Sequence, residues 1–169
     1  MTKPFATIIF ILIIKISTSQ HIAIPVNDTI VEYPVIIKTK GDSLKYFELA
    51  YYKNDTSKLA WKKLINNDKI IGVYKVYYPN GKLYKKVVYD LSGKKNGIYQ
   101  EWDSNGNLIV YGQYKNGLKN GTWQYHKEKR FEVYKKGLKH GRWRIYEGKV
   151  PWTLYVYKKD SLIKVKAKK

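Results

Sequence analysis

The sequence predicts an all-β protein that folds as an elongated, open antiparallel sheet of stacked β-hairpins. A short unit recurs three and a half times: a glycine, an aromatic residue two positions later, and usually a second ring five positions later. The unit glycines are Gly72, Gly97, Gly121 and Gly141, which are 25, 24 and 20 residues apart. Regular self-similarity of this length is typical of a repeat array in which each unit is one supersecondary element.

The second unit shows the predicted hairpin most clearly. Residues 97–102 have the composition of a strand, residues 103–106 form a turn whose Asn-Gly pair allows positive φ, and residues 107–114 return. The other units follow the same plan. Their tips lie at residues 78–81, 127–129 and near 148–151, and the exit turns between units align at residues 114–117, 134–137 and 157–160.

The alternation of side chains along the strands predicts that one face of the sheet is covered and that the other is exposed to water. Side chains alternate along a strand, so the residues two and four positions after each unit glycine share a face. Seven of these eight are apolar or aromatic, namely Tyr74, Val76, Tyr99, Trp123, Tyr125, Trp143 and Ile145, and the eighth is Glu101. The plus-three residues on the opposite face are Lys75, Gln100, Gln124 and Arg144, which are all polar. The plus-five residues are predicted to lie on this polar side near the hairpin tips.

The predicted array occupies residues 70–160. Before it, residues 20–69 are predicted to form degenerate hairpins that cap the array, with strands at residues 23–26, 35–38, 44–52 and 59–65. The last of these stretches also fits two helical turns, because its apolar spacing matches either period. After the array, residues 161–169 are predicted to form a basic tail that is frayed from Lys164 onwards.

Residues 1–19 have the pattern of a signal peptide. A short positive region at residues 1–3 precedes an apolar run at residues 5–14, and Ser17 and Ser19 supply small residues at the −3 and −1 positions of a cleavage site. The run is shorter than the roughly 20 residues of a membrane-spanning helix. We therefore expect an exported chain that starts at Gln20 and acts in the periplasm, on the outer-membrane surface or outside the cell.

The net charge of +20 suggests an anionic partner. Of the 33 basic residues only Arg130, Arg142 and Arg144 are arginines, whereas planar recognition of phosphate favours arginine. Lys, Ile, Asn and Tyr are also the residues of A/T-rich codons, so base composition is an alternative explanation for part of the charge. A nucleic-acid partner is therefore disfavoured, and a lysine-driven interaction with anionic lipid or another polyanion is kept as an alternative.

The sequence gives no indication of catalysis, a metal site or a cofactor. Its histidines are His21, His126 and His140, and no two of them have the helical spacing of metal ligands. The chain contains no cysteine, which excludes disulfides, thiolate chemistry and cysteine zinc sites. No glycine run leads from a strand into a helix followed by Lys and Ser or Thr, as a phosphate-binding loop requires. We expect a protein that is not an enzyme.

The order of the repeat resembles the bacterial MORN-repeat variant family over about residues 70–160, most clearly in the stretch from Tyr114 to Trp123. This resemblance implies stacked β-hairpins and a binding or scaffolding role. The family is often labelled as the antitoxin component of toxin–antitoxin systems, which implies an alternative role as an antitoxin-like or immunity-like neutraliser of a partner protein. Eukaryotic relatives are linked to membrane lipids and to protein partners.

The expected function is non-enzymatic binding of a protein or a cell-envelope component through the aromatic sheet. The candidate binding residues are the plus-five series Tyr77, Trp102, His126 and Tyr146, together with Arg144 on the same polar side. By contrast, Trp123 and Trp143 are expected to belong to a stacked core. An open sheet edge and an aromatic face also allow self-association.

Overall fold

The computed structural model describes residues 30–36, 45–52, 55–146 and 152–167, and these residues form one open antiparallel sheet. The described residues contain no helix, and the main strands pair in the order of the chain, so the predicted all-β meander is confirmed. The strands are β1 (Ile30–Ile36), β2 (Lys45–Tyr52), β3 (Asp55–Asn66), β4 (Lys69–Tyr77), β5 (Leu83–Tyr89), β6 (Lys95–Trp102), β7 (Leu108–Lys115), β8 (Leu118–Lys119), β9 (Gly121–Tyr125), β10 (Arg130–Lys135), β11 (Leu138–Lys139), β12 (Gly141–Ile145), β13 (Thr153–Lys158) and β14 (Ser161–Ala167). The short strands β8 and β11 lie off the main path and pair with β7 and β10.

Four turns along one edge of the sheet, which we call the exit edge, have both central residues at positive φ. They are Asn67-Asp68, Asn116-Gly117, Lys136-Gly137 and Lys159-Asp160, with φ between 47° and 83°. Turns of this kind match the right-handed twist of the strands that they join. Asp tolerates the left-handed region better than most residues, so Asp160 can replace the glycine of the repeat. The last exit turn therefore keeps the backbone geometry of the repeat although its sequence is degenerate.

The first two hairpin tips of the repeat array are joined along the opposite edge, which we call the tip edge. Side chains of one tip donate hydrogen bonds to backbone carbonyls of the next tip, and this holds neighbouring turns in a fixed relation. Three such bonds, each 2.9 Å long, link the first tip to the second: Tyr78 Oη to Trp102 O, Asn80 Nδ2 to Ser104 O, and Lys82 Nζ to Asn105 O.

One side of the sheet, which we call the ring face, is covered by aromatic side chains that lie over neighbouring strands. Its rings include Tyr74, Tyr99, Tyr114, Trp123, Tyr125, Tyr134, Trp143 and Tyr157. The indole of Trp123 is 2% exposed and packs 5.3 Å from the Tyr99 ring and 5.0 Å from the Tyr114 ring, measured between centroids. Its Nε1 donates to the carbonyl of Gln113 at 3.2 Å, and Trp143 repeats this bond one unit later. The predicted ring-covered face is confirmed.

Gly112 makes room for the Trp123 indole. The register of β7 with β9 pairs Tyr111 with Gln124, and Gly112 and Trp123 are the next residues along the two strands. A Cβ atom at position 112 would lie 2.3 Å from Cδ2 of the indole, which is far inside van der Waals contact. Gly112 does not have the positive φ of the unit glycines, such as Gly97 at 123°. The packing therefore requires the missing side chain of Gly112 rather than its backbone freedom.

The structure corrects the prediction for the carboxyl-terminal segment. Residues 161–169 were expected to form a basic tail that is frayed from Lys164 onwards, but Ser161–Ala167 forms β14 and pairs along β13. The tight turn at Lys159-Asp160 directs the chain back along β13, whose backbone groups then complete the ladder. All seven residues of β14 are nevertheless exposed.

Residues 20–69 continue the sheet wherever they are described. The stretch 59–65 lies inside β3, so the strand interpretation is correct and the helical alternative is wrong. The predicted strand at 44–52 corresponds to β2, whereas β1 starts earlier than the predicted strand at 35–38. The signal peptide at 1–19, the strand at 23–26 and the turn near 148–151 lie outside the described residues.

Replacing Gly112 with alanine is expected to destabilise the sheet by about 1 to 3 kcal/mol, because the new methyl group must displace the Trp123 indole or bend β7. Guanidinium denaturation followed by tryptophan fluorescence measures the change. Gln113→Ala is the matched control, since Gln113 is the next residue of β7 and its side chain is exposed. The control should change stability by less than about 0.5 kcal/mol. Equal stability of the two variants would contradict the packing described for Trp123.

Candidate functional site

The side opposite the ring face, which we call the outer face, carries a row of side chains that crosses the strands. Strand register places one residue of each strand directly beside one residue of the next. From β3 to β13 this outer row consists of Lys62, Lys75, Lys86, Gln100, Tyr111, Gln124, Phe131, Arg144 and Leu154. Three lysines thus stand together at one end of the row and Arg144 near the other, with amides and rings between them.

The carboxylates of the described side chains lie away from the outer row. Glu48, Glu101 and Glu132 alternate onto the ring face, where they pair with Lys63 at 2.5 Å, Lys85 at 2.9 Å and Arg130 at 2.7 Å. At the start of β3, Asp55 pairs with Lys58 at 3.0 Å. The remaining described acids lie in turns or next to them, at Asp68, Asp90, Asp103, Glu128 and Asp160. Within the described part of the chain, the outer face is therefore cationic.

The structure places the predicted binding residues in successive hairpins along the tip edge, and strand alternation puts Tyr77, Trp102 and Arg144 on the outer face. Tyr77 and Trp102 end β4 and β6, are half-buried, and each follows a register shift. His126 is exposed at the third tip, Tyr146 is 40% exposed after β12, and Arg144 is exposed in the outer row. Since adjacent members are two strands apart, the series is spread at about 10 Å per step and does not form one cluster.

Sequence reasoning missed the contribution of the returning strands to this face. Tyr111 and Phe131 come from β7 and β10, and Lys86 comes from β5, none of which carries the glycine-and-ring signature. Turn length was the available signal, because a tight hairpin fixes which residues of its two strands stand side by side. For Lys62 the neighbour on β4 is harder to predict in this way, because the register between β3 and β4 shifts next to it.

The carboxylates on the ring face accept hydrogen bonds from neighbouring side chains, whereas the buried Trp61 Nε1 and Arg130 Nε have no hydrogen-bond partner. Glu132 is 2% exposed, and it accepts hydrogen bonds from Arg130 at 2.7 Å and from Tyr134 Oη at 2.8 Å. Glu101 likewise accepts from Tyr99 Oη while it pairs with Lys85. This explains why a carboxylate can occupy a position of the repeat that is otherwise apolar: its charge is compensated inside the ring layer.

Lysines also recur near the exit edge, where their ammonium groups pack against aromatic rings. Burial lowers the pKa of both Lys95 and Lys119, because an ammonium group loses solvation among the rings. The distances from Nζ to ring centroid are 5.1 Å from Lys95 to Tyr114, 4.3 Å from Lys119 to Trp123 and 4.9 Å from Lys139 to Trp143. The contacts are cation–π interactions that stabilise the ring layer.

Histidines and carboxylates do not gather into a metal site anywhere in the described ranges. His126 lies at a hairpin tip, and His140 precedes the unit glycine Gly141, as the sequence indicated. The part of the chain described by the structure also contains no helix that is long and apolar enough to cross a membrane.

No protein-family model matches the chain, and no curated protein matches it. The resemblance to the MORN-repeat variant family stays a prediction based on the repeat motif.

The sheet is expected to lose stability as the pH rises above about 10, where tyrosines ionise in an unfolded chain. Burial raises the pKa of the ring-face residues Tyr89, Tyr99, Tyr114, Tyr125 and Tyr134, so the folded protein holds them neutral and its stability is complete below that pH. The lowered pKa of Lys95 and Lys119 instead favours the folded protein as the pH rises. Only these two lysines oppose the five tyrosines.

Denaturant titrations between about pH 8 and about pH 11, with tyrosinate absorbance recorded in parallel, test this expectation. Tyr134→Phe is the informative variant because it keeps the ring and removes one ionisable hydroxyl. It should show a shallower alkaline loss than the parent protein. Stability that does not fall over this range in the parent protein would contradict the predicted linkage.

Proposed function

We propose that this chain is a non-enzymatic binding protein that is exported and docks through its outer face onto an anionic protein or another anionic component of the cell envelope. The observation that carries the proposal is the separation of charge across the sheet. The outer row holds four cations and no carboxylate, whereas the strand carboxylates pair with cations on the ring face or at the start of β3. A face of one sign favours a partner of the opposite sign.

Aromatic residues add contact area to the same face. Tyr77, Trp102 and Tyr146 lie towards the tip edge, and Tyr111 and Phe131 lie inside the outer row. Tyrosine and tryptophan bury a large area while few rotatable bonds become fixed, which is why they are enriched in binding surfaces. Lysines with rings between them therefore supply both the charge and the apolar contact that a docking surface uses.

The outer face is also ordered before a partner binds. Its residues stand on paired strands, and the hydrogen bonds between tips fix Tyr78 and Lys82 of one hairpin to the backbone of the next. A surface that is ordered in the free protein loses less conformational entropy on binding. The turn acids support a role without catalysis, because Asp90 and Asp103 already accept hydrogen bonds from backbone amides of their own turns.

Capture from envelope fractions tests the proposal. The immobilised protein should recover a partner, and Trp102→Ala or Tyr146→Ala should reduce recovery at least about threefold, because each removes a ring that contributes roughly 1 kcal/mol or more at an interface. Leu91→Ala is the matched control, since Leu91 is 80% exposed and lies on the exit edge. Recovery that is unaffected by both ring variants, in proteins whose thermal unfolding matches the parent, would refute docking through the outer face.

A second candidate function is attachment to an anionic lipid surface through the exit edge. Exposed leucines recur at the exit turns: Leu91, Leu118, Leu138 and Leu162 are 80%, 49%, 42% and 52% exposed. Lysines flank them at Lys94, Lys115, Lys135, Lys136, Lys158 and Lys159. Apolar side chains that project among lysines fit a membrane interface, where the leucines contact acyl chains and the lysines contact phosphates.

Co-sedimentation with vesicles tests this second candidate. Vesicles that contain phosphatidylglycerol should bind the protein, and those of phosphatidylcholine alone should not. The double variant Leu118→Asn/Leu138→Asn should reduce binding, whereas Ile98→Asn, a control on the outer face with 37% exposure, should not. Binding that persists unchanged at about 0.5 M salt would contradict a lysine-driven attachment, because screening weakens such contacts.

A further inference from the structure

We propose that the outer row binds an extended acidic polysaccharide whose chain runs across the strands. The inference rests on the proposed function, since it names the chemical class of the anionic partner that docks on the outer face. It assigns three parts of the row to three features of such a polymer: its carboxylates, its hydroxyls and its sugar rings.

The lysine end of the row supplies the anion contacts. Lys62, Lys75 and Lys86 stand directly opposite one another on β3, β4 and β5. No described carboxylate lies within ion-pair distance of these three ammonium groups. Like charges directly opposite each other on neighbouring strands destabilise a sheet. Carboxylates of a ligand placed between the lysines would offset this repulsion, so the arrangement is favourable in the bound state.

The middle of the row supplies contacts to hydroxyls and rings. Side-chain amides both donate and accept hydrogen bonds, as sugar hydroxyls do, and Gln100 and Gln124 present two such amides on β6 and β9. Tyr111 lies between them, and Phe131 follows on β10. Aromatic faces pack against the C–H faces of pyranose rings. The row therefore combines cations with alternating amides and rings, and this combination suits an acidic glycan.

Strand spacing supports this orientation of the polymer. Neighbouring strands lie about 4.8 Å apart, so the row offers one side chain per about 4.8 Å along its length. That interval is close to the length of one pyranose unit in an extended glycan chain, and each strand can therefore contact one sugar. A nucleotide step in an extended single strand is longer, so successive phosphates would fall out of register with the lysines. The geometry thus favours a polysaccharide over a nucleic acid.

Titration calorimetry with polygalacturonate oligomers, run on the full chain, tests the proposal. Binding of the acidic oligomer is expected, with none to a neutral glucan oligomer of the same length and weaker binding to a single-stranded oligonucleotide. The variant Lys75→Gln/Lys86→Gln should weaken binding about tenfold, because it removes two charge contacts to the ligand. Tyr111→Ala should weaken binding as well, and the exposed tip residue provides the control Lys127→Gln, which should leave it unchanged.

Stability measurements separate a binding role of these lysines from a structural one. Since opposed lysines repel each other, the Lys75→Gln/Lys86→Gln protein should unfold at the same or a higher temperature without ligand. A lower unfolding temperature would show that the lysines serve the fold and would overturn the inference. Equal binding of the neutral glucan, tighter binding of the oligonucleotide, or unchanged affinity of the double lysine variant would also overturn it.

The two proposals can fail separately. If no acidic oligomer binds but capture from envelope fractions still depends on Trp102 and Tyr146, the polysaccharide inference is wrong and docking through the outer face stands. If capture is independent of those rings as well, both proposals are refuted.

Discussion

The fold depends on aromatic rings that lie flat over the neighbouring strand. A β-sheet normally buries one face against a second layer of structure. In the described residues the only regular structure is the sheet itself, and Trp123 and Trp143 pack against tyrosines of the hairpin that precedes them. Trp123 illustrates the constraint, because its indole caps a carbonyl of β7 and occupies the space that Gly112 leaves. Each unit is thus stabilised mainly by its neighbours, as in other repeat proteins.

This one-layer construction has an electrostatic consequence. The ring layer excludes water from one face, so charges there must be compensated, and Glu101 and Glu132 are held by cations and tyrosine hydroxyls. The opposite face has no covering layer among the described residues, and lysines can remain there in contact with water. The same alternation of side chains that builds the ring layer therefore also collects on the outer face cations that pair with no described carboxylate, although Lys62 Nζ lies 4.3 Å from the Phe47 ring centroid.

Much of the fold could be predicted because its signals are local. The glycine-and-ring units, the Asn-Gly turns and the alternation of apolar and polar residues each act within a few residues, and the hairpin of residues 97–114 was predicted close to its observed form. The fraying predicted from Lys164 onwards is wrong up to Ala167, because basic composition suggested it whereas the free edge of β13 supplies backbone partners for β14. The composition of a segment gives no information about a free strand edge beside it, because the preceding strands create that edge.

The sequence by itself determined the repeat, the turns that separate its strands, and the face on which Tyr77, Trp102 and Arg144 lie. The tertiary structure decided which residues of different strands stand side by side, and so brought Lys62, Lys75 and Lys86 into one row and placed Tyr111 and Phe131 in its continuation. The physical reason is that strand register depends on turn lengths and on the register shifts between neighbouring strands, such as those of β4 with β3 and β5. A shift of one residue moves every side chain of a strand to the other face of the sheet.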